Sequence, residues 1–463
     1  MISRLLDKFK ALPPSQSPIT DEEQIKATYR RWRIRTLYSC FFGYTVFYFC
    51  RLNLSMAIPR MQEELGYSKT ALGTIGSALL IMYGIGKFIN GIMADRANPR
   101  YFMAFGLLLS ATVTLTFGIL GILLSNIALS SIGMTVALMI LVLLWGMNGW
   151  FQAMGFPPGA RLLSHWYSPS EYGIIWGIYG CSHQVGAATI YITSGYLVKI
   201  GWQYAFLFPG VFALGFAFVL FNRLRDVPET MGLPPVEKYT GDVKDEKKLE
   251  ELETQPSVRE RLFKYVLNNK YIWFIGLGNL FLYIARYGIS LWVPSFLTET
   301  KGITITRGGW NLGLFEILGI LGMLSAGWIS DKISKARRGP VMAIYMFILS
   351  FGIFWFWITP GSNSVVLTFA LALCGFLVYG PLMLVSVAAA GFAGKKSAAS
   401  ASGFTGLLGY IGATLSGFGI GGVSDIYGIR TGFSLLIASG ILSAFFFALT
   451  WNAKPRAFTE AAL

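Results

Sequence analysis

Two arginines, Arg51 and Arg286, lie inside stretches of apolar sequence long enough to cross a membrane. Arg51 stands eight residues before Pro59, which at about 1.5 Å of rise per residue puts it roughly 12 Å from the outer end of its predicted helix. Arg286 is similarly deep in another stretch. An unpaired arginine at the centre of a bilayer costs roughly 2.5–3.5 kcal/mol on insertion scales, so each of the two must face a polar cavity. Acids within the same stretches are scarce, Glu316 being the clear one, and the two guanidiniums therefore outnumber their internal partners. That excess implies an anion from outside the chain. The planar fork of guanidinium grips carboxylate or phosphate bidentately, and two forks can clamp one phosphoryl group. The competing reading is a structural ion pair, Arg286 with Glu316.

Other polar groups share this depth. Lys87 sits eight residues before Asp95, and it either snorkels to the cytoplasmic face or reaches the solute. His183, within the run Gly180 to Gly186 (GCSHQVG), is either a helix-packing group among small residues or a donor to an oxyanion and carrier of a proton. Tyr44 and Tyr48 precede Arg51 by seven and three residues, and Tyr283 precedes Arg286 by three, so on continuous helices each lies within about 60° of its arginine's face. His165, in the charged stretch Arg161 to Glu171, reads as structural.

The elements that hold these residues are membrane helices. The 463-residue chain is 54% hydrophobic and 13% charged, against about 25% charged residues in soluble domains. A spanning helix needs roughly 20 largely apolar residues. Twelve such stretches are predicted, at 36–58, 70–93, 101–123, 133–157, 172–198, 203–221, 271–297, 309–330, 341–359, 364–390, 400–423 and 431–451. The net charge of +15 is topological rather than a mark of nucleic-acid binding. Of 38 Lys and Arg, the opposite loops hold only Arg60, Lys69, Lys199, Lys301, Arg307 and Arg430, and the spans hold Arg51, Lys87 and Arg286. The rest fall on one side, which the positive-inside rule makes cytoplasmic together with both termini. The polar start of the chain gives no sign of a cleavable signal peptide. Cys40, Cys50, Cys181 and Cys374 all fall in spans without paired spacing, so neither a disulfide framework nor a metal site is expected.

The organisation read from this map is a cytoplasmic segment 1–35, a six-helix half 36–221, a connector 222–270, a second half 271–451 and a tail 452–463. The connector holds the charge run KDEKKLEELE (244–253), which reads as solvated, and the amphipathic SVRERLFKYVLNN, suited to the inner leaflet. Deleting Gly241 to Thr254 is expected to leave binding of the anion intact, to be checked in correctly inserted protein. The halves are repeats. Gly91, Asp95 and Arg96 recur as Gly327, Asp331 and Lys332 at an offset of 236 residues, an offset shared by Gly73 with Gly309 and by Gly86 with Gly322. Parallel repeats related by an axis along the membrane normal are a transporter plan with the solute site at their interface. The two GxxxD pairs are expected to gate the cytoplasmic side. No nucleotide loop or hydrolase motif is present, so the chain lacks the machinery of an enzyme or an ATP-driven pump, and no cofactor is expected.

From about residue 29 to 450 the chain resembles the organophosphate:phosphate antiporter family of the major facilitator superfamily. The resemblance rests on YxxR at Tyr48 to Arg51, YGIGK at Tyr83 to Lys87, FQAMGFPPGAR at Phe151 to Arg161 and SHQVG at Ser182 to Gly186. In the second half it rests on YIARYGI at Tyr283 to Ile289, YGPLML at Tyr379 to Leu384 and GFTGLLGYIG at Gly403 to Gly412. It implies an all-α membrane protein of the major facilitator fold, twelve spans in two pseudo-two-fold halves. It also implies that Arg51 and Arg286 hold a phosphate, that Lys87 and His183 contribute, and that Tyr44, Tyr48, Tyr83, Tyr179, Tyr283, Tyr379 and Tyr410 line the cavity. The glycerol-3-phosphate branch typically shows tryptophans at the positions of Phe156 and Tyr179, so the resemblance turns toward the hexose-phosphate members and their receptor-like relatives. It implies exchange of hexose 6-phosphate, glucose 6-phosphate above all, for inorganic phosphate in a bacterial inner membrane. The alternative is a sensor of the same ligand that signals to a histidine kinase.

Overall fold

The computed structural model describes residues 12–13, 15–127, 130–241, 266–334, 337–394 and 397–453. Within them the chain is helical. The first half comprises α1 (Glu22–Phe49), α2 (Asn53–Leu65), α3 (Lys69–Arg96), α4 (Pro99–Asn126), α5 (Ser131–Gln152), α6 (Phe156–Trp166), α7 (Tyr172–Ile200) and α8 (Tyr204–Arg223). The second comprises α9 (Lys270–Lys301), α10 (Ile305–Trp328), α11 (Arg338–Ile358), α12 (Ser364–Ala393), α13 (Ala398–Tyr427) and α14 (Ile429–Ala448). With α2 continuing α1 and α6 extending α5, these are the twelve spans the hydropathy pattern predicts. Ten are long and apolar enough to cross a membrane by length and composition. The other two are α1 with α2, which the break at Arg51 divides into a helix with a basic start and a 13-residue helix, and α7, whose apolar run is interrupted by His183 and Gln184.

Packing repeats with the sequence. In the first half α1 lies on α7, α3 on α5 and α4 on α8; in the second α9 lies on α13, α10 on α12 and α11 on α14. The halves meet along α3 with α13 and α7 with α10, two seams that exchange under the pseudo-two-fold.

At the outer end both seams are shut. A Cβ at Gly73 would fall 2.3 Å from the Gly417 carbonyl oxygen, and one at Gly309 would fall 2.4 Å from that of Tyr191, so only glycine permits these backbone approaches. Asp425 of α13 accepts from the backbone N–H of Lys69 at 2.9 Å and of Thr70 at 2.7 Å, capping α3 across the seam. Lys69 pairs with Glu299 at 3.0 Å, and Thr306 donates to the Gly195 carbonyl at 3.0 Å. At the cytoplasmic ends of the seam helices, a Cβ at Gly91, Gly173, Gly177, Gly403 or Gly406 would meet nothing within 4 Å. The seams are therefore shut at one end and open at the other, the end expected to be cytoplasmic.

α1 starts well before its span. Asp21 caps it by accepting from the Glu23 and Gln24 N–H groups, and the basic stretch that follows extends the helix into the cytoplasm. The connector is expected to be solvated, yet residues 224–240 are docked on this extension. Tyr29 donates to the Pro234 carbonyl at 2.5 Å and stacks on Tyr239 at 4.0 Å, and Trp166 donates to the Asp226 carbonyl at 3.0 Å. Leu224, Leu233 and Val236 give this segment buried anchors between its polar residues. Close by, Arg33 binds Glu171. Partial burial raises the Glu171 pKa, but the Arg33 hydrogen bond and those from Ser168 outweigh it and hold the carboxyl below its usual range. The charge run 244–253 and most of the amphipathic segment after it lie outside the described residues.

Candidate functional site

Arg51 does not sit in a continuous helix. α1 ends at Phe49, Cys50 to Leu52 turn, and α2 resumes at Asn53. The break frees carbonyls at membrane depth, and α5 supplies their donors: Asn148 Nδ2 reaches the Cys50 oxygen at 2.6 Å and Gln152 Nε2 the Phe47 oxygen at 2.8 Å. The angular argument that places Tyr44 and Tyr48 on the face of Arg51 therefore does not apply across the break. Contact replaces it. The Arg51 guanidinium lies 4.0 Å over Tyr83 and 5.2 Å over Tyr48, and its Nη2 donates to the Tyr287 hydroxyl at 3.4 Å.

Arg286 lies in unbroken α9 and is 4% exposed, as is Arg51. Its Nη2 pairs with Glu316 Oε1 at 3.0 Å, while Nη1 donates to Ser290 Oγ. Tyr379 donates to the other oxygen of Glu316, which is fully buried on α10. The ion-pair reading of Arg286 is thus realised in this conformer. Among the described residues no carboxylate pairs with Arg51, whose polar contacts are aromatic rings and the Tyr287 hydroxyl, so there the pair of arginines retains one uncompensated positive charge. Tyr287 touches both: it accepts from Arg51, and its ring lies 5.3 Å from the Arg286 guanidinium. The sequence reading passes over Tyr287 because it follows its arginine by one residue, whereas helical spacing directs attention to i−3.

The tyrosines form a continuous wall across the halves. Tyr44 and Tyr83 hydroxyls are 3.4 Å apart, Tyr83 lies 5.2 Å from Tyr410, and Tyr410 lies 5.4 Å from Tyr283. His183 stands between Tyr48 at 5.7 Å and Tyr379 at 5.9 Å, joining the halves a second time. Its Nδ1 lies 2.5 Å from the Gly180 carbonyl, which only accepts, so Nδ1 carries a proton and Nε2 is left for another partner. Lys87, one turn beyond Tyr83, is exposed on the cytoplasm-facing side with its Nζ 5.8 Å from the Tyr410 ring. Tyr179 differs from the others. It is fully buried, stacks on Phe156 at 5.2 Å and donates to the Phe156 carbonyl, so it braces the wall from behind.

On its outer side Arg51 borders a cavity of about 40 Å³ lined largely by Leu52, Leu54, Leu79, Leu80, Trp145 and Leu291. This apolar plug separates the charges from the closed outer face. Among the gating residues, Gly91 is unobstructed, and Arg96, Asp331 and Lys332 are exposed at the cytoplasmic ends. Gly327 ends α10 near Met383, and the Asp95 side chain lies outside what is described.

Removing the carboxylate that competes for Arg286 has a readable consequence. Glu316→Gln is expected to tighten equilibrium binding of inorganic phosphate about tenfold, roughly 1.4 kcal/mol, and to slow exchange, as checked by titration and vesicle flux. Unchanged affinity makes the pair purely structural.

A multi-pass bundle of two repeated halves, with cations from both halves at a seam open on one side, is the architecture of an alternating-access membrane carrier. Residues 40–417 match the family described as Major Facilitator Superfamily. A Chlamydia pneumoniae protein named probable hexose phosphate transport protein is 41% identical over 97% of this chain and 98% of its own. The glycerol-3-phosphate transporter of Bacillus subtilis (strain 168) is 39% identical over 98% of this chain and 99% of its own. Among solved structures, a bacterial homologue of the human lysosomal transporter Spinster, inward-facing and unoccupied, superposes with a TM-score of 0.72 at 16% identity, covering 93% of this chain and 98% of that one. The chain belongs to the Major Facilitator Superfamily, a family of transporters and not of enzymes, and within it to the organophosphate:phosphate antiporter family.

Proposed function

We propose that this protein exchanges hexose 6-phosphate, glucose 6-phosphate above all, for inorganic phosphate across a bacterial cytoplasmic membrane. The observation that carries the reading is the arrangement around Tyr287: two buried guanidiniums, one from each half, share it, and among the described residues only one has a carboxylate. A phosphate group seated there neutralises Arg51 and competes with Glu316 for Arg286. Lys87 stands on the cytoplasmic approach, and the His183 ring lies between Tyr48 and Tyr379, the neighbours of Arg51 and Arg286, where its Nε2 serves as a donor when the ring is charged or an acceptor for the proton of a phosphate monoanion. The site's charge also explains exchange rather than free return. Closing the cytoplasmic side over an unpaired Arg51 buries a naked charge beside an apolar plug, whereas either phosphate species removes that cost.

The sugar assignment is supported by Phe156 and Tyr179, which stack on each other with Phe156 edge-on to Tyr44, where the glycerol-3-phosphate branch typically carries tryptophans. Proteoliposomes loaded with inorganic phosphate should take up labelled glucose 6-phosphate, and phosphate-free vesicles should not. Uptake of glycerol 3-phosphate in preference overturns the sugar assignment. Binding without uptake in oriented protein leaves the sensor reading instead. His183→Gln is expected to lower exchange severalfold without abolishing it, measured as flux in proteoliposomes, because the amide keeps a hydrogen-bond donor but lacks the imidazole's pairing of a donating Nδ1 with an accepting Nε2; unchanged flux makes His183 a packing residue.

A further inference from the structure

We propose that Tyr191 couples the central site to the seam beside it: its hydroxyl takes over the Glu316 carboxylate when a phosphate group draws Arg286 away, and so fastens one half to the other while the site is loaded. This role, which rests on the phosphate seat proposed above, spans the halves. Tyr191 lies on α7 of the first, whereas Arg286 and Glu316 lie on α9 and α10 of the second.

Tyr191 carries a hydroxyl with nothing to bind. The residue is fully buried, and its phenolic oxygen has no hydrogen-bond partner among the described residues. Burying an O–H without an acceptor is unfavourable, and phenylalanine would fill the same space without that cost. The surroundings identify the acceptor. The hydroxyl stands within electrostatic reach of Glu316, Arg286, Tyr287 and Tyr379. Ser290 also lies beside it, close enough to be felt but outside hydrogen-bond geometry. The one proton of Ser290 goes to the Arg286 carbonyl at 3.0 Å, and its oxygen accepts from Arg286 Nη1. Helix geometry agrees with this placement. Gly309, packed on the Tyr191 carbonyl, precedes Glu316 by seven residues of α10, about 10 Å toward the shut end of the seam. A helical side chain leans toward its own helix's N-terminus, which for α7 is the open end, and Tyr191 therefore leans toward the carboxylate.

Each oxygen of Glu316 has its donor in this conformer: Oε1 accepts from Arg286 Nη2 at 3.0 Å and Oε2 from Tyr379. All three residues belong to the second half. A phosphate that occupies Arg286 takes the donor from Oε1 and leaves a buried carboxylate oxygen bare, which is strongly unfavourable. Tyr191 holds the proton that this oxygen then lacks. The exchange turns Glu316 from a tie within one half into a tie across the α7–α10 seam, made only when the anion is bound.

Tyr191→Phe keeps the ring and deletes the hydroxyl alone. Binding of inorganic phosphate is titrated calorimetrically on the purified full-length protein in detergent, for wild type, Tyr191→Phe, Glu316→Gln and the double variant, and the melting temperature of each is taken without phosphate. Tyr191→Phe should weaken phosphate binding about tenfold, whereas in the Glu316→Gln background the same change should weaken it less than about twofold, because no bare carboxylate is left there for the hydroxyl to serve. The melting temperature without phosphate should not fall, since the deleted hydroxyl has no partner to lose. Unchanged affinity in Tyr191→Phe overturns the proposal. An equal loss in both backgrounds also overturns it, by making the hydroxyl a direct ligand of the anion, and a lowered melting temperature does so by giving the hydroxyl a partner before phosphate arrives. Wild-type protein that binds no phosphate instead overturns the reading of the central site, and this role with it.

Discussion

Arg51→Lys and Arg286→Lys should each lose phosphate-displaceable binding of glucose 6-phosphate by about a hundredfold or more, measured on purified protein with labelled ligand. Truncating one partner of a buried, hydrogen-bonded charge pair costs roughly 2–5 kcal/mol, which corresponds to about 30- to 5,000-fold in affinity. Lysine keeps the charge but not the fork. At position 51 the plane of the guanidinium matters as well, since it lies 4.0 Å over the Tyr83 ring while donating sideways to Tyr287. An ammonium on a flexible stem does not hold both contacts. The two variants should differ in stability. Arg286→Lys disturbs the buried pair with Glu316 and should lower the melting temperature, whereas Arg51 has no carboxylate partner among the described residues and its replacement should leave folding nearly unchanged. Unchanged affinity in both variants overturns the phosphate clamp.

The features legible in the sequence are those written as charge against an apolar background. Arg51, Arg286 and Glu316 stand out because few charges interrupt the spans, and the repeat of Gly91/Asp95 as Gly327/Asp331 announces two halves before any packing is known. What was not legible depends on partners distant in the chain. Nothing near Cys50 signals that α1 breaks there, because the donors that make the break tolerable, Asn148 and Gln152, come from α5. Their polarity inside a span is a signal, but it does not say which carbonyls they serve. Tyr179 shares its residue type with the lining tyrosines, and only its fully buried contact with Phe156 separates a brace from a wall. The connector's composition reads as solvated on average, and that average conceals the three apolar anchors that dock residues 224–240.

The repeat also predicts how to stop the carrier. Gly73 and Gly309 are equivalent positions, 236 residues apart, and each is a close backbone approach in its seam: Gly73 of α3 against Gly417 of α13, Gly309 of α10 against Tyr191 of α7. In both cases the atom that a new Cβ would meet is a backbone carbonyl oxygen, which cannot swing aside as a side chain does. Valine at either position therefore pushes the outer ends of the halves apart. Overpacking of this kind costs roughly 1–3 kcal/mol. Because the outward-open state does not make the contact, that cost falls on one conformer alone and shifts the equilibrium about 5- to 150-fold toward it. Gly73→Val and Gly309→Val should each cut exchange in proteoliposomes strongly, and together by about a hundredfold, while spin labels across the outer seam move apart and substrate still binds from outside. Gly91→Val gives the opposite case. A Cβ there meets nothing within 4 Å in this conformer, so it is tolerated here and should bias the carrier, if at all, against closing the cytoplasmic side. Wild-type exchange in the double glycine variant would mean that the halves do not come this close during transport, and the outer seam would then not be the gate.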